Sequence, residues 1–153
     1  MHYVLGMTNT SYTAVMALFQ ARDRIAERFS ARLGSFHGLS LTETIMLLHL
    51  ADEPLHRLTR TDLAKRLHVS ASTVTRMAAP LEKLGLLRRE ADARDARLAY
   101  VVLSPVGLEK AGDARQTLLQ MASDVFDKPW SADQVSGLSD ALIRLTGGAP
   151  RLQ

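Results

Sequence analysis

Between Thr59 and Leu103 the chain changes its hydrophobic period once, at Gly85, and that single change limits the folds open to it. Upstream, Leu63, Ala64 and Leu67 mark one face of a short helix beginning near Thr59, and Val74, Met77, Leu81 and Leu84 mark the core face of another. Only His68, Val69 and Ser70 separate the two, which is the spacing of a helix-turn-helix. Asp62 is placed to cap the first turn of the first helix, Ser70 is a good N-cap for a helix over 71–84, and Gly85 is its terminator. Downstream, Leu86 and Leu87 open a short strand, and Leu98, Tyr100 and Val102 alternate with Ala99 and Val101 in a second. That period predicts a β-hairpin.

Helices are predicted on both sides of this centre. Val15, Leu18, Phe19, Ile25, Phe29 and Leu33 give a long amphipathic helix over 11–33, broken by Gly34 and Gly38. SLTE at 40–43 reads as a capping box for an apolar helix over 41–51, which Pro54 closes. Ser104-Pro105 supplies an N-cap and a first-turn proline for a helix through Leu108, Ala111, Leu118, Leu119, Met121, Ala122 and Val125, ended by Pro129. SADQ at 131–134 is a second capping box, opening a helix through Val135, Leu138, Leu142 and Leu145 that stops at Gly147-Gly148. The expected fold class is mainly α with a small β-hairpin wing.

Composition removes several alternatives. A chain of 153 residues with 46% hydrophobic and 23% charged side chains can bury a core. Without cysteine it has no disulfide, thiolate metal site or thiol redox chemistry. Arg22 is the first Lys or Arg, and Thr8, Asn9, Thr10 and Ser11 interrupt the apolar start, so a secretory signal is not expected. No apolar run reaches membrane-spanning length, so no membrane partner is expected and a cytoplasmic location is. His2, His37, His49, His56 and His68 lack metal-site spacing, and no nucleophile elbow or phosphate loop occurs. Neither a metal, a cofactor nor an enzyme is expected.

Charge is distributed unevenly. From Arg57 to Arg97 ten basic residues face five acidic ones, leaving +5, while the other nine basic and eleven acidic residues leave −2. The central segment therefore suits an anionic surface.

A helix-turn-helix followed directly by a hairpin is a winged helix, whose second helix enters the major groove while the hairpin reaches toward the minor groove. On that geometry Ser70, Ser72, Thr73, Thr75 and Arg76 are candidate groove contacts, and Arg88 and Arg89 candidate phosphate contacts. The segment RREADARDAR, 88–97, is harder to read, because Glu90, Asp92 and Asp95 lie among its arginines. At a hairpin tip such carboxylates, Asp92 and Asp95, can accept loop N–H groups or pair with cations, stiffening the loop so that Arg94 points outward, with Asp92 and Arg97 bracing its base, and Arg94 and Arg97 are the wing's candidate DNA contacts. The competing reading is a winged helix that docks on protein. Apolar first turns on the second helix would favour it, and Ser72, Thr73, Thr75 and Arg76 do not.

DARDAR at 92–97, LSPVG at 103–107 and DLAKRLHVSASTVTRMAAPLEKLGLLRR at 62–89 together resemble the MarR family of winged-helix transcription regulators. The resemblance implies a single domain over 1–153, with a winged helix-turn-helix DNA-binding lobe at 40–103 and a helical dimerisation region at 11–34 and 105–146. It implies an obligate homodimer, a palindromic double-stranded operator, and repression relieved by a small, often aromatic or phenolic effector. Phe19, Phe36, His37 and His49 are the pocket residues that this implies. One departure stands out. Pro80 lies inside the groove-entering helix, where it removes the bond to the Arg76 carbonyl and should kink it.

Overall fold

The structure is a computed structural model that describes residues 2–148, with side chains described from residue 9 onward. The chain divides into two compact units, Met1–Leu41 and Thr42–Gln153.

The first unit is one helix, α1 (His2–His37). It passes through Gly34, contrary to the break expected there. An interior glycine costs a helix only about 1 kcal/mol relative to alanine, too little to stop 36 residues. The stop comes at Gly38, whose φ of +67° suits glycine and ends the helical path. Leu33 and Leu39 are fully buried beside this terminus, while Tyr12, Val15, Phe19 and Phe36 remain exposed.

The second unit contains α2 (Leu41–Ala51), β1 (Arg57–Thr59), α3 (Arg60–Leu67), α4 (Ala71–Lys83), β2 (Leu87–Ala91), β3 (Ala99–Leu103), α5 (Pro105–Val125) and α6 (Ala132–Leu145). The hairpin is therefore part of a three-stranded antiparallel sheet in the order β1-β3-β2. The extra strand escaped the sequence because three residues are too few to show a period. Arg57, Leu58 and Thr59 pair with Val102, Val101 and Tyr100. Leu87 to Ala91 pair with Leu103 back to Ala99.

The starts of α3 to α6 each have a local cause. Thr59 caps α3 by accepting the Asp62 N–H, while its own hydroxyl donates to the Asp62 carboxylate at 2.8 Å. Ser70 caps α4 through the Thr73 N–H, and Ser131 and Gln134 close a reciprocal capping box on α6. Ser104 accepts the Gly107 N–H and donates to the Gly85 carbonyl at 2.6 Å, tying the start of α5 to the end of α4. Gly107 is required there. A Cβ at this position would lie 2.1 Å from the Leu86 carbonyl oxygen and 2.8 Å from Leu103 Cδ1.

Met46, Leu47, Leu50, Leu63, Val74, Ala78, Leu81, Leu86, Leu87, Val101, Leu103, Ala111 and Met121 form the core of this unit. Two expected core residues are outside it. Leu84 is 66% exposed, because it has become the C-cap of α4 and the chain turns at Gly85 with φ +73°. Leu98 is exposed too, since it precedes β3, and Val101, Val102 and Leu103 are all buried instead of alternating. Beyond the core, an Asp52–Arg115 ion pair joins the end of α2 to α5, and Glu53–Arg66 joins it to α3 at 2.6 Å.

Candidate nucleic-acid interface

The turn between α3 and α4 is built by His68, which takes the left-handed conformation at φ 54° and ψ 41°. Its N–H and that of Val69 donate to the Lys65 and Ala64 carbonyls, closing α3 in the manner usually reserved for glycine. The chain then enters α4 at Ser70.

At the start of α4 the hydroxyls form one network. Ser70 Oγ accepts the Thr73 N–H at 3.1 Å and lies 2.9 Å from both Ser72 Oγ and Thr73 Oγ1. Arg76 donates through one terminal nitrogen to Thr73 Oγ1 at 3.3 Å. Ser70, Ser72 and Arg76 are exposed, and Thr73 is half-buried. Thr75 differs. It is half-buried, its hydroxyl donates to the Ala71 carbonyl, and Arg60 donates to it at 3.4 Å. Four of the five candidate groove residues thus share one hydroxyl–guanidinium surface, and Thr75 turns toward a groove lined by Arg60, Arg89 and Tyr100. Pro80 sits within α4 with no break in the helix, which runs on to Lys83.

The acids of RREADARDAR divide into two kinds. Glu90 makes ion pairs, with Arg57 at 3.1 Å and Arg88 at 2.9 Å. Asp92 and Asp95 instead accept main-chain N–H groups: Asp92 Oδ1 from Arg94 at 2.8 Å and Asp95 at 3.0 Å, and Asp95 Oδ1 from Arg97 at 2.9 Å. The Asp92 carboxyl is held below its ordinary value, first by the Arg94 and Asp95 N–H groups, with smaller help from the Tyr100 side chain and the Arg57 charge. Among the described residues no ion pair joins Asp92 or Asp95 to an arginine, and none engages the exposed Arg94 and Arg97 guanidiniums. The loop is braced through its backbone, leaving two cations facing solvent.

Arg88 and Arg89 are also exposed, but each is already paired. Arg89 Nε donates to Glu82 of α4 at 2.6 Å. Sequence reasoning missed Glu82 because its partner is seven residues away across a helix end, and missed Arg57 because β1 was not foreseen.

Of the four residues expected to line an effector pocket, Phe19, Phe36 and His37 lie on α1 and His49 lies on α2. Phe19 and Phe36 stand 17 positions apart on α1, about 25 Å at 1.5 Å per residue, so they cannot line one small-molecule site within a protomer. Arg32 lies over the Phe36 ring at 5.1 Å. His37 is half-buried near the end of α1, and His49 is buried in α2. Among the described residues no group of three His, Asp or Glu side chains could hold a metal ion, the His2 side chain lying outside them.

A model of the MarR family matches residues 37–98, which run from the end of α1 through the wing loop. The transcriptional regulator AdcR of Streptococcus pneumoniae serotype 2 (strain D39 / NCTC 7466) is 34% identical over 86 residues, covering 54% of this chain and 57% of that protein. The chain thus spans little more than half of this relative's length. Among solved structures, Sco3205 of Streptomyces coelicolor, a MarR family transcriptional regulator in complex with DNA, superposes with a TM-score of 0.80 at 22% identity. That likeness covers 89% of this chain and 84% of the other, and at such identity it is one of fold. The transcriptional regulator PA3341 gives a TM-score of 0.73 at 27% identity, covering 86% of this chain and 94% of the other.

Proposed function

We propose that this chain, whose residues 37–98 match a model of the MarR family, is a MarR-type, sequence-specific, double-stranded DNA-binding transcription regulator acting as a homodimer on a palindromic operator. One observation carries the reading. The hydroxyl–guanidinium surface of Ser70, Ser72, Thr73 and Arg76 opens α4, and the same fold unit holds a backbone-braced loop with Arg94 and Arg97 unpaired among the described residues. A helix of that kind suits base edges in a major groove, and exposed arginines on a hairpin suit the neighbouring minor groove.

The Sco3205 structure, solved with DNA, and the name of the AdcR relative support the same role. Apolar contact with protein is a poorer match to an α4 surface made of hydroxyls and a guanidinium. Nothing in this role calls for catalysis, and it places the protein in the compartment that holds its DNA. No helix among the described residues is long and apolar enough to cross a membrane.

Dimerisation is supported by α6, which has no buried residue although Val135, Leu138, Leu142 and Leu145 fall at helical spacing. Exposed Tyr12, Val15 and Phe19 on α1 add apolar surface that a monomer leaves wet. Sedimentation at micromolar concentration should give a dimer. We propose repression as the regulatory outcome and assign no effector site, since Phe19 and Phe36 do not meet.

Titrating duplex DNA at several salt concentrations tests the central reading. Affinity should fall steeply with salt, by a slope of about −0.9 per neutralised phosphate. Sites selected from random duplexes should carry an inverted repeat with half-sites about 34 Å apart. Salt-independent binding, or selected sites without any repeat, would overturn it.

A further inference from the structure

We propose that Arg57 is the positioning residue of the wing: it orients Arg94 toward DNA without touching DNA itself. This rests on the DNA-binding reading above.

The strand register places Arg57 and Arg88 on either side of Val102, and Thr59 and Glu90 on either side of Tyr100. These two rows lie on one face of the sheet, because alternate residues of a strand share a face. From β1, the Arg57 guanidinium crosses this face diagonally. It sits 4.5 Å from the centroid of the Tyr100 ring on β3 and donates to Glu90 on β2 at 3.1 Å. Its charge also helps to hold Asp92, the residue that organises the tip, in its carboxylate form. One side chain therefore touches or polarises every part of the wing.

The other end of β1 explains why this matters. Thr59 is both the last residue of β1 and the N-cap of α3, so Arg57 stands two residues from the helix-turn-helix. Between Ala91 and Ala99 no side chain is buried, and the tip therefore has no core contact of its own to fix its direction. A planar guanidinium can stack on an aromatic ring and bond a carboxylate at the same time, whereas lysine would keep only the charge. The Arg57 side chain is about one-third exposed and both its strong contacts are within the protein, which suits an orienting role.

The test is a double-mutant cycle on operator binding by the full chain, with melting curves to check that each variant is folded. Arg94→Ala alone should weaken binding about tenfold. Arg57→Ala should weaken it about fivefold when Arg94 is present and leave it nearly unchanged when Arg94 is absent, because positioning has value only if there is something to position. Arg57→Lys should fall between wild type and Arg57→Ala.

Should Arg57→Ala not fold, Glu90→Gln carries the same question. It removes a negative charge near DNA, which bulk electrostatics predicts will tighten binding, whereas loss of the clamp weakens it. Additive losses in the cycle would make Arg57 a phosphate contact in its own right and overturn the proposal, as would tighter binding by Glu90→Gln. A wild-type protein that binds duplex DNA while Arg94→Ala costs nothing would overturn it too. Wild type failing to bind duplex DNA at any salt concentration sinks the parent reading as well, so the wild-type arm separates the two failures.

Discussion

The first turns of α4 and the tip of the wing are both assigned to the same duplex, yet they are held in opposite ways. The polar surface of α4 stands on Val74, Ala78 and Leu81, each 2% exposed or less, so its geometry is inherited from the core. The tip, from Asp92 to Leu98, stands on hydrogen bonds between near neighbours, made by Asp92 and Asp95. A surface fixed by packing resists change until the whole unit fails. One fixed by local bonds can be altered without unfolding anything.

The most severe way to break this comparison is through the core. Leu81→Ala should cost about 3 kcal/mol of stability in urea unfolding, since a fully buried leucine leaves a cavity. A loss below about 1 kcal/mol, the range of ordinary surface changes, would show that α4 is not anchored as described.

Next in size is the chemistry of α4. Arg76→Ala should remove about 2 kcal/mol of discrimination between operator and random DNA, the scale of one bidentate guanine contact. Equal losses on both DNAs would reduce Arg76 to a phosphate contact.

The turn that aims α4 can be improved. His68 occupies a left-handed conformation that costs a side chain about 1–2 kcal/mol. Allowing for glycine's greater loss of backbone freedom, His68→Gly should stabilise the protein by about 1 kcal/mol in thermal unfolding. A destabilised variant would mean that the histidine ring makes a contact worth more than the backbone relief.

On the wing side, Asp92→Ala should lower the melting temperature only slightly, through the two loop hydrogen bonds it loses, and weaken operator binding, by less than Arg94→Ala does. Tighter binding by a folded Asp92→Ala protein would return these acids to the status of solvated turn residues.

The smallest effects come from pH, and they separate the two regions by window. Burial first, then the Arg66 charge, holds His49 below its ordinary 6.5, against the opposing pull of Asp52 and Glu53. The unfolded chain therefore takes up this proton first. Stability from His49 is complete above pH 6.5 and declines as pH falls from there toward the lowered folded value. The contribution of Asp92 is present above its ordinary 3.8 and is lost as pH falls through its lowered folded value. His49→Gln should flatten the first decline and leave the second. An unchanged first decline would assign it to another group.

Local chemistry wrote much of this protein plainly. The turn at His68, the caps at Ser70, Ser104 and Ser131, and the acceptor role of Asp92 and Asp95 are contacts spanning no more than five residues, so their signals lie in adjacent letters. The family pattern was legible for the same reason. Tertiary structure alone decided the rest. Strand β1 exists because β3 offers it a partner more than 40 residues away, and three residues without that partner have no reason to be extended. Glu82 meets Arg89, and Arg57 meets Glu90 and Tyr100, only after the sheet has set its register. Leu84 and Leu98 have core-like periodicity but face solvent, because periodicity names a face and only the surrounding elements decide whether that face is covered. Whether α1 would run through Gly34 was likewise a balance of about 1 kcal/mol that the sequence could not weigh against the rest of the helix.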